Sequence, residues 1–193
     1  MFRSSVIDAW GSTASERAEH FPCDDLIDSA RTELFRAVDV GAPAAVAFRW
    51  VCQLRVAPYS YDLLDNFGRR SPRELTPGLD DLEVGQRVMT IFRLASFESG
   101  RSFTIDAHTT LFGYLAVTYR VDSVDDERSR IVVKLVVAAR RGCVAWGMDR
   151  VLPAGDLVMM RKQLLTLKRL AQRDASQQRV GHRVRDEATE PSS

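Results

Sequence analysis

The sequence predicts an α+β domain in which an antiparallel sheet is covered by a long C-terminal helix, and three observations carry that prediction. Four β-compatible segments follow one another between Gln86 and Arg141 with only short turns between them. Parallel neighbours would need crossover connections of a dozen or more residues, so the segments read as an antiparallel meander. Farther on, Leu157, Met160, Leu164, Leu167 and Ala171 recur at helical spacing, with Arg161, Lys162, Lys168, Arg169 and Arg173 mostly off that stripe. A meander with one apolar face has to cover it, and this helix is the long amphipathic element left to do so.

The elements follow in chain order. Residues 1–30 form a polar lead-in with at most a helical turn near Ala14–Ala18. "TELFRAVDV", Thr32 to Val40, is dense in β-compatible residues and stops at Gly41. Pro43 then stands where a helix accepts proline best, and "AAVAFRWVCQLRV" runs without a breaker to Pro58. Ser60 as N-cap, Asp62 in the first turn and Gly68 as a stop predict a short helix over Tyr61–Phe67. Ser71-Pro72 and Thr76-Pro77-Gly78 mark a long loop, the latter suited to a type II turn. In "YLAVTYRVDSV", Leu115, Val117, Tyr119 and Val121 alternate with wetter neighbours, and Ile131, Val133, Leu135 and Val137 do the same in "RIVVKLVVAARR". The C-terminal helix is read to Ser176, and 177–193 as a disordered tail, because apolar periodicity ends there. The organised domain therefore spans 31–176.

Composition narrows the function classes. A chain of 193 residues, 45% hydrophobic, supports one substantial core. Twenty-seven lysines and arginines against 26 acids give a net charge of +1, so no field of one sign recruits nucleic acid. No apolar run reaches the length of a membrane span or a signal-peptide core, and a cytoplasmic location is expected. Cys23, Cys52 and Cys143 belong to no CxxC or Cys/His cluster and read as reduced thiols. His20, His108 and His182 have no metal-ligand spacing, and no metal is expected.

The stretches "WGST", "GAPAAVAFRWVCQL", "YSYDLLDNFG" and "PAGDLVMMRKQLLTLKRLA" resemble the START-like (SRPBCC) superfamily, in its bacterial branch labelled polyketide cyclase or dehydrase. The resemblance covers about Trp10 to Ala171. It implies a helix-grip fold, in which a curved sheet wraps the last helix and leaves an apolar cavity. It also implies a small hydrophobic ligand as partner; no metal or organic cofactor is expected. Binding or carriage of such a ligand is the leading expectation. A cyclase- or dehydratase-type enzyme for a polyketide-like or aromatic substrate is the alternative, and a non-catalytic interaction protein with a filled core is the third.

Candidate site residues follow. Asp106 and His108 are two apart on a strand and share a face, where a carboxylate could orient an imidazole as general base. The competing reading is a wet outer face, with Phe103, Ile105 and Ala107 inward. Tyr59, Tyr61, Asp65 and Arg69 would form a polar rim at the cavity mouth, or fasten a loop by hydrogen bonds. Trp50 and Trp146 suit a core or a cavity wall, and Met160 and Leu164 on the last helix face the same interior. The basic residues of that helix lack interleaved aromatics and read as a solvated face.

Overall fold

The computed structural model describes residues 6–28, 30–60, 71–109, 113–138 and 143–189, with the side chains of 6, 30–31, 143–154 and 181–189 left undescribed. Strands β1 (Ala30–Val40), β2 (Arg87–Val88), β3 (Phe92–Glu98), β4 (Ser102–Thr109), β5 (Gly113–Ser123) and β6 (Ser129–Ala138) form one antiparallel sheet. Its order is β1-β6-β5-β4-β3-β2. The meander from β2 to β6 is made of adjacent hairpins, while β1 returns from the start of the chain to pair with β6 along its whole length. A bulge between Leu94 and Ser96 breaks the β3–β4 ladder, a device that bends a sheet locally.

Helices α1 (Val6–Ala9) and α2 (Ala14–Ala18) precede the sheet, α3 (Ala44–Cys52) follows β1, and α4 (Cys143–Thr189) follows β6. Thr13 and Glu16 form a reciprocal capping box on α2, and the backbone of α3 begins directly after Pro43. The alternation read from sequence holds in register. Leu34, Arg36, Val38 and Val40 of β1 share a face with Val117, Tyr119 and Val121 of β5 and Ile131, Val133 and Leu135 of β6. Onto this face α4 packs Leu164, Leu167, Leu170, Ala171 and Ala175, with Trp50, Val51 and Leu54 of the α3 segment beside them. This is the helix-grip arrangement, α+β, with the core between sheet and helix.

Two segments depart from the sequence reading. The lead-in is structural: Phe21, Cys23 and Ile27 are buried against Phe35, Ala37, Ala116, Val132 and Val136 on the opposite face of the sheet. Its scattered apolar residues have no helical or strand period, because they lie on a short 3-10 turn, Pro22–Leu26, and its flanks. Backbone and ion-pair contacts tie it down. The Ala37 amide donates to the Trp10 carbonyl at 3.0 Å, and Arg130 reaches Glu16, Asp39 and the Gly11 carbonyl. Gly11, at φ 75°, lies so near β1 that a Cβ would stand 2.1 Å from the Ala37 oxygen. The second departure is α4, which extends from Cys143 to Thr189 where the sequence reading keeps helix over 151–176. Polarity past Ser176 removes the core-facing stripe, yet a helix already nucleated propagates at one hydrogen bond per residue and meets no proline there.

Candidate functional site

The inner face carries two polar side chains in a single cross-strand row. Arg36 stands opposite Val133, Val133 opposite Tyr119, and Tyr119 opposite Phe103. Arg36 and Tyr119 thus flank one valine, roughly 9–10 Å apart at their Cα atoms for two strand spacings. Above this row, α4 sets Asp156, Met160 and Gln163 on successive turns. Asp156 Oδ2 meets Arg36 Nη2 at 2.7 Å, with the two side chains 8% and 1% exposed. The Tyr119 hydroxyl donates to Gln163 Oε1 at 2.8 Å and lies 3.7 Å from Met160 Sδ. Gln163 Nε2 in turn donates to the Pro58 carbonyl at 2.6 Å. The result is two polar contacts bridging sheet and helix, Arg36 of β1 to Asp156 and Tyr119 of β5 to Gln163, the second continuing to the segment that leaves α3.

Burial controls the electrostatics. It pushes the Asp156 carboxyl up to about 6, against the pull of Arg36. The Arg36 guanidinium is lowered by the same burial, with Asp156 and then Asp8 opposing the shift. Burial raises the Tyr119 hydroxyl too, and Asp156 adds to the effect, so Tyr119 remains a proton donor at neutral pH. A carboxyl near 6 beside a fixed cation and a phenol can accept or donate a proton close to neutrality.

The backbone beside this region is strained at Tyr59. Tyr59 is 1% exposed and adopts φ 54°, a left-handed backbone that non-glycine residues occupy at a cost of about 1–3 kcal/mol. Its ring meets Trp50 edge to face at 6.0 Å. Trp50 donates its indole N–H to Asp174 Oδ2 at 3.0 Å, which ties α3 to α4. Tyr59 is therefore seated beside the Pro58 carbonyl that Gln163 holds.

The residues expected from sequence fall in three places. Trp50, Tyr59, Met160 and Leu164 lie in the inner core. Asp106 and His108 lie on the outer face: Asp106 accepts from the Tyr114 hydroxyl at 3.0 Å, and the exposed His108 stacks on Tyr114 at 6.3 Å. Strand alternation sends Phe103, Ile105 and Ala107 inward instead, so this pair does not reach the interior. Tyr61, Asp65 and Arg69 lie outside the described residues, and Trp146 lies on α4 with its side chain undescribed.

Sequence reasoning passed over Arg36, Asp156, Tyr119 as a polar group, and Gln163. A signal existed: Arg36 interrupts the apolar phase of β1, and Asp156 and Gln163 sit at i and i+7 on the side of α4 that carries Met160. Among the described residues no cluster of three or more histidines, cysteines or acids could hold a metal ion. Burial pushes the thiols of Cys23 and Cys52 up to about 11 and about 12, which leaves them poor nucleophiles. No described helix is long and apolar enough to cross a membrane.

No family model matches the chain, and no curated protein matches it. Solved structures do. A protein from Thermobifida fusca, solved by NMR, is 16% identical over 72% of this chain and 94% of its own, at a TM-score of 0.49. The Zhui aromatase/cyclase from Streptomyces sp. R1128 is 15% identical over 75% of this chain and 93% of its own, at 0.42. The di-domain aromatase/cyclase BexL, from the BE-7585A biosynthetic pathway, is 14% identical over 71% of this chain and 45% of its own, at 0.43.

Proposed function

We propose that the chain binds a small, largely apolar molecule between sheet and C-terminal helix, with the molecule's oxygen-bearing end set against Arg36, Asp156 and Tyr119. The observation that supports this is the Arg36–Asp156 pair, buried at 2.7 Å on a face whose only other polar sheet side chain in that row is Tyr119. Burying two charges costs several kcal/mol per ion before their attraction offsets it, and apolar residues of similar volume would often do better for stability alone. Polar groups fixed on an apolar wall are the usual means of orienting a ligand whose carbon skeleton is held by contact.

A second reading has its own support. The Asp156 carboxyl near 6, with the Tyr119 phenol sharing its surroundings, fits acid-base help to a bound substrate. In that reading Asp156 moves the proton, while Arg36 and Tyr119 hold the oxygen on which charge develops. The substrate would be the polyketide-like or aromatic type implied by the sequence resemblance.

Native mass spectrometry of the protein purified from its own host is the first test, because a co-purifying molecule reveals occupancy and chemical class. An apolar phenol or carboxylic acid found by screening is then titrated against Tyr119→Phe and Arg36→Gln. Loss of about tenfold in affinity, roughly 1.4 kcal/mol, measured at a temperature where each variant is folded, is the expected result. Affinity equal to wild type in both variants would refute the binding role. Conversion of the bound molecule, lost in Asp156→Asn while binding persists, separates the enzyme from the carrier.

A further inference from the structure

We infer that the outward face of α4 between Val158 and Arg169 is a docking surface for an acidic amphipathic helix of a partner protein. Val158 and Leu165 are 54% and 37% exposed, and their i, i+7 spacing puts them on one side of the helix, about 10.5 Å apart at 1.5 Å per residue. Arg161, Lys162 and Arg169 flank them, and together these residues border a groove of about 600 Å³. Nothing in the proposed interior uses this face, because Met160, Leu164 and Leu167 take the opposite side.

Charge selects the occupant. From Leu157 to Arg173 the chain has no acidic residue, and Asp156 just before it is turned inward onto Arg36. The chain as a whole carries only +1, so the cations of this face are a local pattern rather than a share of a basic protein. Arg161 and Lys162 are partly held already, Arg161 with its guanidinium 5.6 Å from the centre of the Trp10 ring. An anionic partner gains from this field, whereas a second copy of the chain would set cations against cations across a two-fold contact.

Shape favours a helix over a lipid surface. Valine and leucine are shorter than the arginines and lysine beside them, so the apolar seam forms the floor between cationic walls. A flat anionic bilayer would meet the cations and leave the seam unfilled. A helix with an apolar residue every three to four positions can enter it, while acids on either side meet Arg161, Lys162 and Arg169.

The test uses the full chain and a synthetic helical peptide with leucine at the first and fourth heptad positions and glutamate at the flanking ones. Fluorescence anisotropy is measured beside a peptide carrying glutamine for glutamate, and sedimentation beside vesicles of phosphatidylserine and phosphatidylcholine. The acidic peptide should bind, the glutamine peptide should bind at least about tenfold more weakly, and raised salt should weaken the acidic complex. Arg169→Glu, and separately Leu165→Gln, should each cost about tenfold in affinity, with the melting temperature little changed because both side chains are exposed. No binding of the acidic peptide overturns the inference, as does binding that ignores the charge reversal. Capture by vesicles without peptide binding overturns it too and identifies the face as a lipid contact, and self-association lost on charge reversal would identify it as a contact between copies.

Discussion

At the scale of single residues, Asp156 and Arg36 show how burial decides chemistry. Asp156 is raised from 3.8 to about 6, so the folded chain holds that proton more tightly than the unfolded one does. Stability from this group is therefore full below the unfolded value and falls as pH rises through the folded one. Two units amount to roughly 3 kcal/mol, lost between about pH 4 and pH 7. Paired groups such as Glu16, which Arg130 and the Thr13 amide hold below the usual carboxylate range despite burial, act in the opposite sense. The measurement is accordingly a difference. Across that pH span, urea unfolding of wild type against Asp156→Asn should move by roughly 3 kcal/mol in the wild type's disfavour. A difference that stays flat would mean that the carboxyl titrates as an ordinary solvated acid.

At the scale of elements, the N-terminal segment and α4 are each more than their local sequence suggests. Phe21 is fully buried, meets Phe35 edge to face at 6.1 Å, and has the Arg120 guanidinium 4.6 Å from its ring centre. Around it, Lys134 is held by Asp24 at 2.6 Å, and the Cys23 amide donates to Thr118 Oγ1 at 3.0 Å. Phe21→Ala should cost roughly 3–5 kcal/mol of unfolding free energy, as buried aromatic truncations do. A loss near 0.5 kcal/mol, typical of surface sites, would show that the segment is loosely laid on the sheet. On α4, Ala175 is the last buried side chain described, and 176–180 are exposed. Ending the chain after Ser176 should move the melting temperature by no more than about 2 °C while the far-ultraviolet helix signal falls. A drop of several degrees would show that the last turns dock against the domain.

For the molecule as a whole, the proposed ligand should act as a linkage partner of folding. At a concentration about one hundred times its dissociation constant it would stabilise the native state by about 2.7 kcal/mol, or roughly 5–11 °C for a chain of this size. Differential scanning calorimetry checks this. At the same concentration Tyr119→Phe should keep only about half of that gain, since a tenfold weaker complex subtracts about 1.3 kcal/mol. A gain that is equal in both proteins would place the bound molecule away from the Tyr119 row.

Much of this architecture was legible from local pattern. Two-residue alternation through Leu115–Val121 and Ile131–Val137 marked the inner face, short turns required antiparallel neighbours, and the Leu157–Ala171 stripe marked the covering helix. Each signal is carried by residues near one another in the chain, which is why a sequence can determine it. The pairing of β1 with β6 is different, because Arg36 and Val133 are brought opposite only when two distant apolar faces are buried together. That step placed Asp156 over Arg36, removed both from water and moved the carboxyl toward neutrality. It also turned Asp106 and His108 outward and covered the other face of the sheet with Phe21 and Cys23. The sequence by itself determined which segments are strands and helices and which sides of them are apolar; only the tertiary structure decided which polar groups share a dry interior, since desolvation depends on what packs around a group rather than on its neighbours in the chain.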